Sequence, residues 1–186
     1  MTMEYARAPS LEEALNLILE RLVGISKRKG LRASKSGIQQ GIGFHLDTPY
    51  IIVEGLIQRG LISLTGEKFV LTSPGETFVE YVVEIARLIK PYSLFPEFDE
   101  GRIVGAVLYA LYDWTNKKDA KQIVEDARET LRLLNEVKKK NSDAFKIIAV
   151  TLPRLYFEDG KYTPSSLIEK IYPSIAHEAQ GVKNTC

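Results

Sequence analysis

The stretch from Thr48 to Glu76 constrains the fold more than any other part of this chain, because its hydrophobic spacing changes twice. Thr48-Pro49 is an N-cap and first-residue pair for a helix, and Ile52, Val53 and Leu56 follow at steps of one and three. The helix stops at Gly60, which can leave a helix with positive φ and pass straight into a strand. Leu61 to Thr65 and Lys68 to Thr72 then alternate with a period of two, and Gly66-Glu67 between them makes a hairpin. Ser73-Pro74 opens another helix with Phe78, Val82, Ile85, Ala86 and Ile89 on one side, closed by Lys90-Pro91. Leu56 is placed to plug the space between these helices, with the hairpin folded over it.

The residues before Thr48 supply two more helices. Ser10 caps the first, whose apolar positions are Leu11, Ala14, Leu15, Leu17, Ile18, Leu22 and Val23. Glu12 and Glu13 lie in its first turn and Lys27, Arg28 and Lys29 in its last, as the helix dipole favours. Gly30 ends it, and Leu31 to Ala33 is a short extended piece. Ser34 caps a second helix that runs to about Gly43. Its glycines, Gly37, Gly41 and Gly43, make it either weak or packed very close to a neighbour. His45-Leu46-Asp47 is a turn.

The resulting order over Ser10 to Ile89 is helix, short strand, helix, turn, helix, hairpin, helix. Together with the run Leu56-Ile57-Gln58-Arg59-Gly60-Leu61-Ile62, then Lys68-Phe69-Val70-Leu71-Thr72 and Gly75, it resembles the winged helix-turn-helix of small archaeal and bacterial regulators of the multiple-antibiotic-resistance and phenolic-acid types. The resemblance covers about the first half of the chain. It implies a mainly α fold, with a winged helix-turn-helix of three helices and a two-strand wing in 1–90. A linker at 91–100, a helical dimerisation or effector domain at 101–180 and a flexible tail at 181–186 would follow. The function implied is that of a double-stranded DNA-binding transcription regulator acting as a homodimer. Its third helix would lie in the major groove and its wing in a flanking groove.

Composition limits how DNA could be held. The chain carries 25 basic and 24 acidic residues, so any grip on phosphate is local. Arg21, Lys27, Arg28, Lys29, Arg32 and Lys35 form a run without an acid. On the regulator reading Lys27, Arg28, Lys29, Arg32 and Lys35 hold phosphates. Ser36, Gln39, Thr48, Tyr50 and Gln58 approach the groove, and Lys68 places the wing. The other reading of the run is a solvated helix end that satisfies the dipole, and of Lys68 an edge-strand lysine that deters pairing.

One feature departs from the regulators. With Ile52, Val53 and Leu56 inward, the outer face of the third helix is Asp47, Thr48, Tyr50, Ile51, Glu54, Gly55 and Gln58. Regulators of this kind usually carry an arginine or several hydroxyls there, and carboxylates near phosphate are repelled. A winged-helix adaptor that binds protein and not DNA is therefore the alternative, with Tyr50, Ile51 and Ile57 as its contact patch.

In the second half, Arg102 to Trp114 is apolar nearly all round and reads as a buried helix. Asp119 caps a long helix to about Lys140 with the stripe Ala120, Ile123, Val124, Ala127, Leu131, Leu134 and Val137. These helices would either pair two subunits or pack within one chain. Tyr109, Tyr112 and Trp114 are core, or line a pocket for a small-molecule effector. In residues 144–157, Ile147, Ile148 and Val150 suit a strand whereas Ser142-Asp143 as a cap suits a helix, and the span is read as helix up to Pro153. Asp159-Gly160 is a turn, and Thr163-Pro164 starts a last helix ending near Glu178. The span 155–171 echoes the wing and its following helix, which leaves a degenerate second winged helix open.

Enzymatic function is not expected: there is no glycine-rich phosphate loop and no nucleophile elbow, and His45 and His177 have no cysteine support. No catalytic residue, metal site or cofactor is expected. Cys186 is the single cysteine, so no intrachain disulfide forms. Met1 to Ser10 has no apolar signal core, and the longest apolar run, Ile103 to Tyr112, is too short to span a bilayer. The expectation is a cytoplasmic protein without membrane contact.

Overall fold

In the computed structural model the described residues, 10–43, 47–92, 99–114, 119–152, 168–170 and 172–173, are mainly helical, with one two-strand antiparallel sheet. Their order is α1 (Leu11–Arg28), α2 (Lys35–Ile42), α3 (Thr48–Gln58), β1 (Ile62–Thr65), β2 (Lys68–Leu71) and α4 (Ser73–Ile89). A 3-10 turn (Lys90–Tyr92), α5 (Gly101–Trp114), α6 (Ala120–Lys140) and α7 (Ser142–Thr151) follow.

Local chemistry accounts for most boundaries. The Ser10 and Ser34 side chains accept the backbone N–H groups of Glu13 and Gly37, and Asp119 forms a reciprocal capping box with Gln122. Gly60, at φ 80°, takes the left-handed turn out of α3 that a side chain would oppose. Two caps, those of α3 and α7, sit one residue from where the sequence places them. Thr48 is already helical, and Asp47 takes the N-cap position of α3 with helical backbone and no side-chain cap bond. α4 starts at Ser73 as expected, and Thr72 caps it: it accepts from Gly75 N, and its hydroxyl lies 2.7 Å from the Gly60 carbonyl and 3.1 Å from that of Leu61. That one threonine ties the base of the hairpin to α4. Asn141, not Ser142 or Asp143, caps α7 by accepting from Ala144 N. Residues 144–152 are helical, so the strand alternative fails there; 153–157 lie outside the described residues.

The sheet pairs Ile62 with Leu71, Ser63 with Val70, Leu64 with Phe69 and Thr65 with Lys68. Ile62 is buried, and Phe69 and Leu71 pack on the core, whereas Leu64 runs past the core's edge and stays exposed. Buried side chains from α1 to α7, together with Ile168, form one contiguous cluster that includes Leu22, Leu56, Phe78, Val104, Leu134 and Phe145.

The closest packing is between α2 and α5, which run parallel: Ser34 and Ile38 meet Gly101, and Gly41 meets Arg102 through Ala106. Four glycines permit it. A Cβ on Gly41 would strike the Arg102 carbonyl, and one on Gly105 would strike the Ile38 carbonyl. Of the two readings of the glycines in the second helix, close packing is the one realised at Gly37 and Gly41. No helix among the described residues is long and apolar enough to cross a membrane.

Candidate interaction surface on the third helix

Helical periodicity turns Pro49, Ile52, Val53 and Leu56 of α3 into the core, and all four are buried. One flank is covered by the end of α5. The Tyr112 ring lies over Gly55, where a Cβ would collide with it, and its hydroxyl donates to the Ile51 carbonyl at 3.2 Å. The Arg59 guanidinium stacks 4.4 Å from the centre of the same ring, a cation–π contact. Gly55, expected on the outer face, is therefore buried, because α5 reaches it. Ile57, expected in the contact patch, is half-buried against the core.

What remains open on α3 and the residue before it is Asp47, Tyr50, Ile51, Glu54 and Gln58. Ile51 is 55 % exposed and packs on none of the core. Thr48 is half-buried. No lysine or arginine lies on α3 itself.

The basic run is largely neutralised by the chain's own carboxylates. Arg21 meets Glu76 at 2.7 Å, Lys29 meets Glu84 at 2.6 Å, Lys35 meets Glu20 at 2.8 Å, and Arg32 lies 4.0 Å from Glu100. Burial pushes the Glu84 carboxyl up, but the hydrogen bonds and charges of Lys29 and Arg87 outweigh it and hold the group below its usual range. Lys27 and Arg28 are exposed and make no ion pair among the described residues, and the same holds for Lys68 on β2. Ser36 and Gln39 are exposed on α2, with the Ser36 hydroxyl 3.1 Å from that of Ser34.

The N-terminus of α2 already holds an anion. Asp99 Oδ1 accepts from Ser34 N at 3.0 Å and from Gly101 N at 2.7 Å, and Oδ2 accepts from the Ser34 hydroxyl. One carboxylate thus serves the first turns of two parallel helices, where both dipoles present positive ends. Its neighbour Glu100, 1 % exposed, accepts from Arg32 N at 2.7 Å and meets Lys90 Nζ at 2.6 Å. Burial raises both carboxyls, but for Asp99 the Ser34 and Gly101 hydrogen bonds, and for Glu100 the Lys90 and Arg32 interactions, bring each below its ordinary value. Sequence reasoning passed over this pair. Its signal was the acid-acid-glycine step just before an apolar helix.

Tyr109 and Tyr112 are half-buried against the core. The Trp114 side chain, His45, His177, Cys186 and the span 155–167 lie outside the described residues. Among the described residues, no three or more His, Cys, Asp or Glu side chains are grouped to hold a metal. An open cavity of about 440 Å³ lies along the first turns of α6, lined by Asp119, Lys121, Gln122, Glu125 and Asp126. No protein-family model, curated protein or solved structure matches the chain.

Proposed function

We propose that residues 10–92 are a winged-helix head whose third helix binds protein rather than duplex DNA. The helix order, the Gly60 exit and the hairpin returning to α4 through Thr72 support the head. The observation that carries the partner class is the open face of α3: two carboxylates, a tyrosine, a glutamine and an exposed isoleucine, without a cation. A groove lined by phosphates repels Asp47 and Glu54 and offers Ile51 at most a thymine methyl. A protein partner can cover Ile51 and pair both acids. The occupation of the α2 N-terminus by Asp99 points the same way, since that end is where a phosphate would otherwise be received.

A DNA-binding homodimeric regulator is the second reading, favoured by the exposed Lys27, Arg28 and Lys68. Fluorescence anisotropy on a labelled random duplex of about 30 base pairs, at low and moderate salt, separates the two. The protein-binding reading expects no saturable signal at either salt. Saturable binding that weakens steeply with salt, and that is lost in Lys27→Glu/Arg28→Glu, would overturn it.

A further inference from the structure

We propose that α5 is a strap that couples the start of α2 to the interaction face of α3, with Tyr112 as the positioning residue at its far end; as regulation of that face, this rests on the protein-binding reading above. α2 and α3 touch each other little, whereas α2 is seated on α5 from Ser34 to Ile42. One stripe of α5 makes both contacts. Gly101, Gly105, Leu108 and Tyr112 recur at the spacing of a single helix face. A Cβ on Gly101 or Gly105 would strike the α2 backbone, so at this end the two helices meet main chain to main chain. Asp99 fixes the same end by accepting from Ser34 N and Gly101 N at once. At the other end, roughly 16 Å along the helix, Tyr112 covers Gly55 and donates to the Ile51 carbonyl.

Two sides of α3 are therefore held by different parts of the chain. Ile52, Val53 and Leu56 seat its inner side in the core, and the Tyr112 ring, stacked on Arg59, holds the flank that borders Ile51. Val104, Leu108 and Leu111 are buried, so α5 is packed along its length and answers a change at one end as a body. Loosening the Asp99 anchorage lifts Tyr112 from Gly55 and lowers the free energy needed to open α3 locally. Linkage makes the effect reciprocal. A partner that binds the seated face of α3 better than the loosened one tightens α5 on α2 by the same factor.

Hydrogen exchange by mass spectrometry on the full chain tests the coupling without a partner. Asp99→Ala removes the shared cap and adds no bulk. It should speed exchange of α2 about tenfold and of α3 about threefold or more, each measured relative to α1 in the same variant. In a Tyr112→Ala background Asp99→Ala should still loosen α2 and no longer move α3, a pattern that a general loss of stability cannot produce. Tyr112→Phe, which keeps the ring and loses the hydroxyl bond, should weaken the response of α3. If Asp99→Ala does not fold, Arg102→Ala is the milder seam variant, giving up the exposed bond to Gln40 at 2.8 Å, and the same pattern is expected. An α3 that gains no exchange relative to α1, or one that responds equally without Tyr112, overturns the inference. Duplex anisotropy on the parent chain keeps the two levels apart. Saturable binding there defeats the protein-binding reading and leaves the coupling intact, whereas an unresponsive α3 defeats the coupling alone.

Discussion

Alanine at Gly41 or Gly105 is the sharpest probe of how α5 seats on α2. Both glycines are helical, so propensity alone predicts that alanine stabilises by about 1 kcal/mol. The structure predicts the opposite sign. At Gly105 the new methyl would collide with the Ile38 carbonyl and come within 2.9 Å of Ile42 N. At Gly41 it would meet the Arg102 carbonyl and lie 2.9 Å from Ala106 N. These obstacles are backbone atoms that cannot swing aside, so the overpacking cost sits near the upper end of the usual range, about 3 kcal/mol. The net loss is about 2 kcal/mol, which with a urea slope of roughly 2–3 kcal/mol/M lowers the unfolding midpoint by about 1 M. Gly24 is the control, since in mid-α1 a Cβ there meets nothing within 4 Å. Gly24→Ala should raise the midpoint by about 0.5 M through propensity alone. A Gly105→Ala protein as stable as the parent, beside a stabilised Gly24→Ala, would refute the close seating of α5.

Leu56→Ala, at a side chain 1 % exposed, should cost about 2–5 kcal/mol in urea melts; a loss under about 1 kcal/mol would mean Leu56 does not plug the core. Tyr112→Phe removes the bond to the Ile51 carbonyl and should cost about 0.5–1.5 kcal/mol, with faster amide exchange across α3 as the local readout. The carboxyls of Asp99 and Glu100 are held below their ordinary values of 3.8 and 4.5, so the folded chain binds fewer protons than the unfolded one in acid. Their contribution is complete above those ordinary values and is lost as pH falls through the lowered ones. Thermal melts of Asp99→Asn/Glu100→Gln should show a flatter acid limb than the parent, and an unchanged limb would contradict the assignment. Thr72→Ala removes the α4 cap and the hairpin tie, and a midpoint unchanged in urea would show that neither matters; the expected loss is about 1–2 kcal/mol.

The fold was legible where physics is local. Ser10, Ser34 and Asp119 cap helices because a short oxygen next to an amphipathic run has few other uses, and Gly60 ends α3 because a reversal into a strand needs its φ. The α7 cap shifted by one to Asn141 because neighbouring short polar side chains could each do the job. Long-range placement was less legible. The periodicity that sent Ile52 and Leu56 inward left Gly55 outward, and only the reach of Tyr112 from α5 reverses that. The basic run was visible, but its partners Glu20, Glu76, Glu84 and Glu100 lie on α1, on α4 and just before α5, and no spacing rule joins them. The acid-apolar face of α3 was visible from the start, since it needs only one helix and its period.

The glycine-lined seam and its shared carboxylate bear on where this chain can be cut. A fragment ending at Tyr92 would bare Gly37 and Gly41 together with much of the side of α2 that α5 shields, and would take Asp99 from the first turn of α2. Eight residues with two helical glycines do not hold a helix alone in water. The smallest autonomous fragment therefore reaches through α5, and α2 is made by a segment that follows it by some sixty positions.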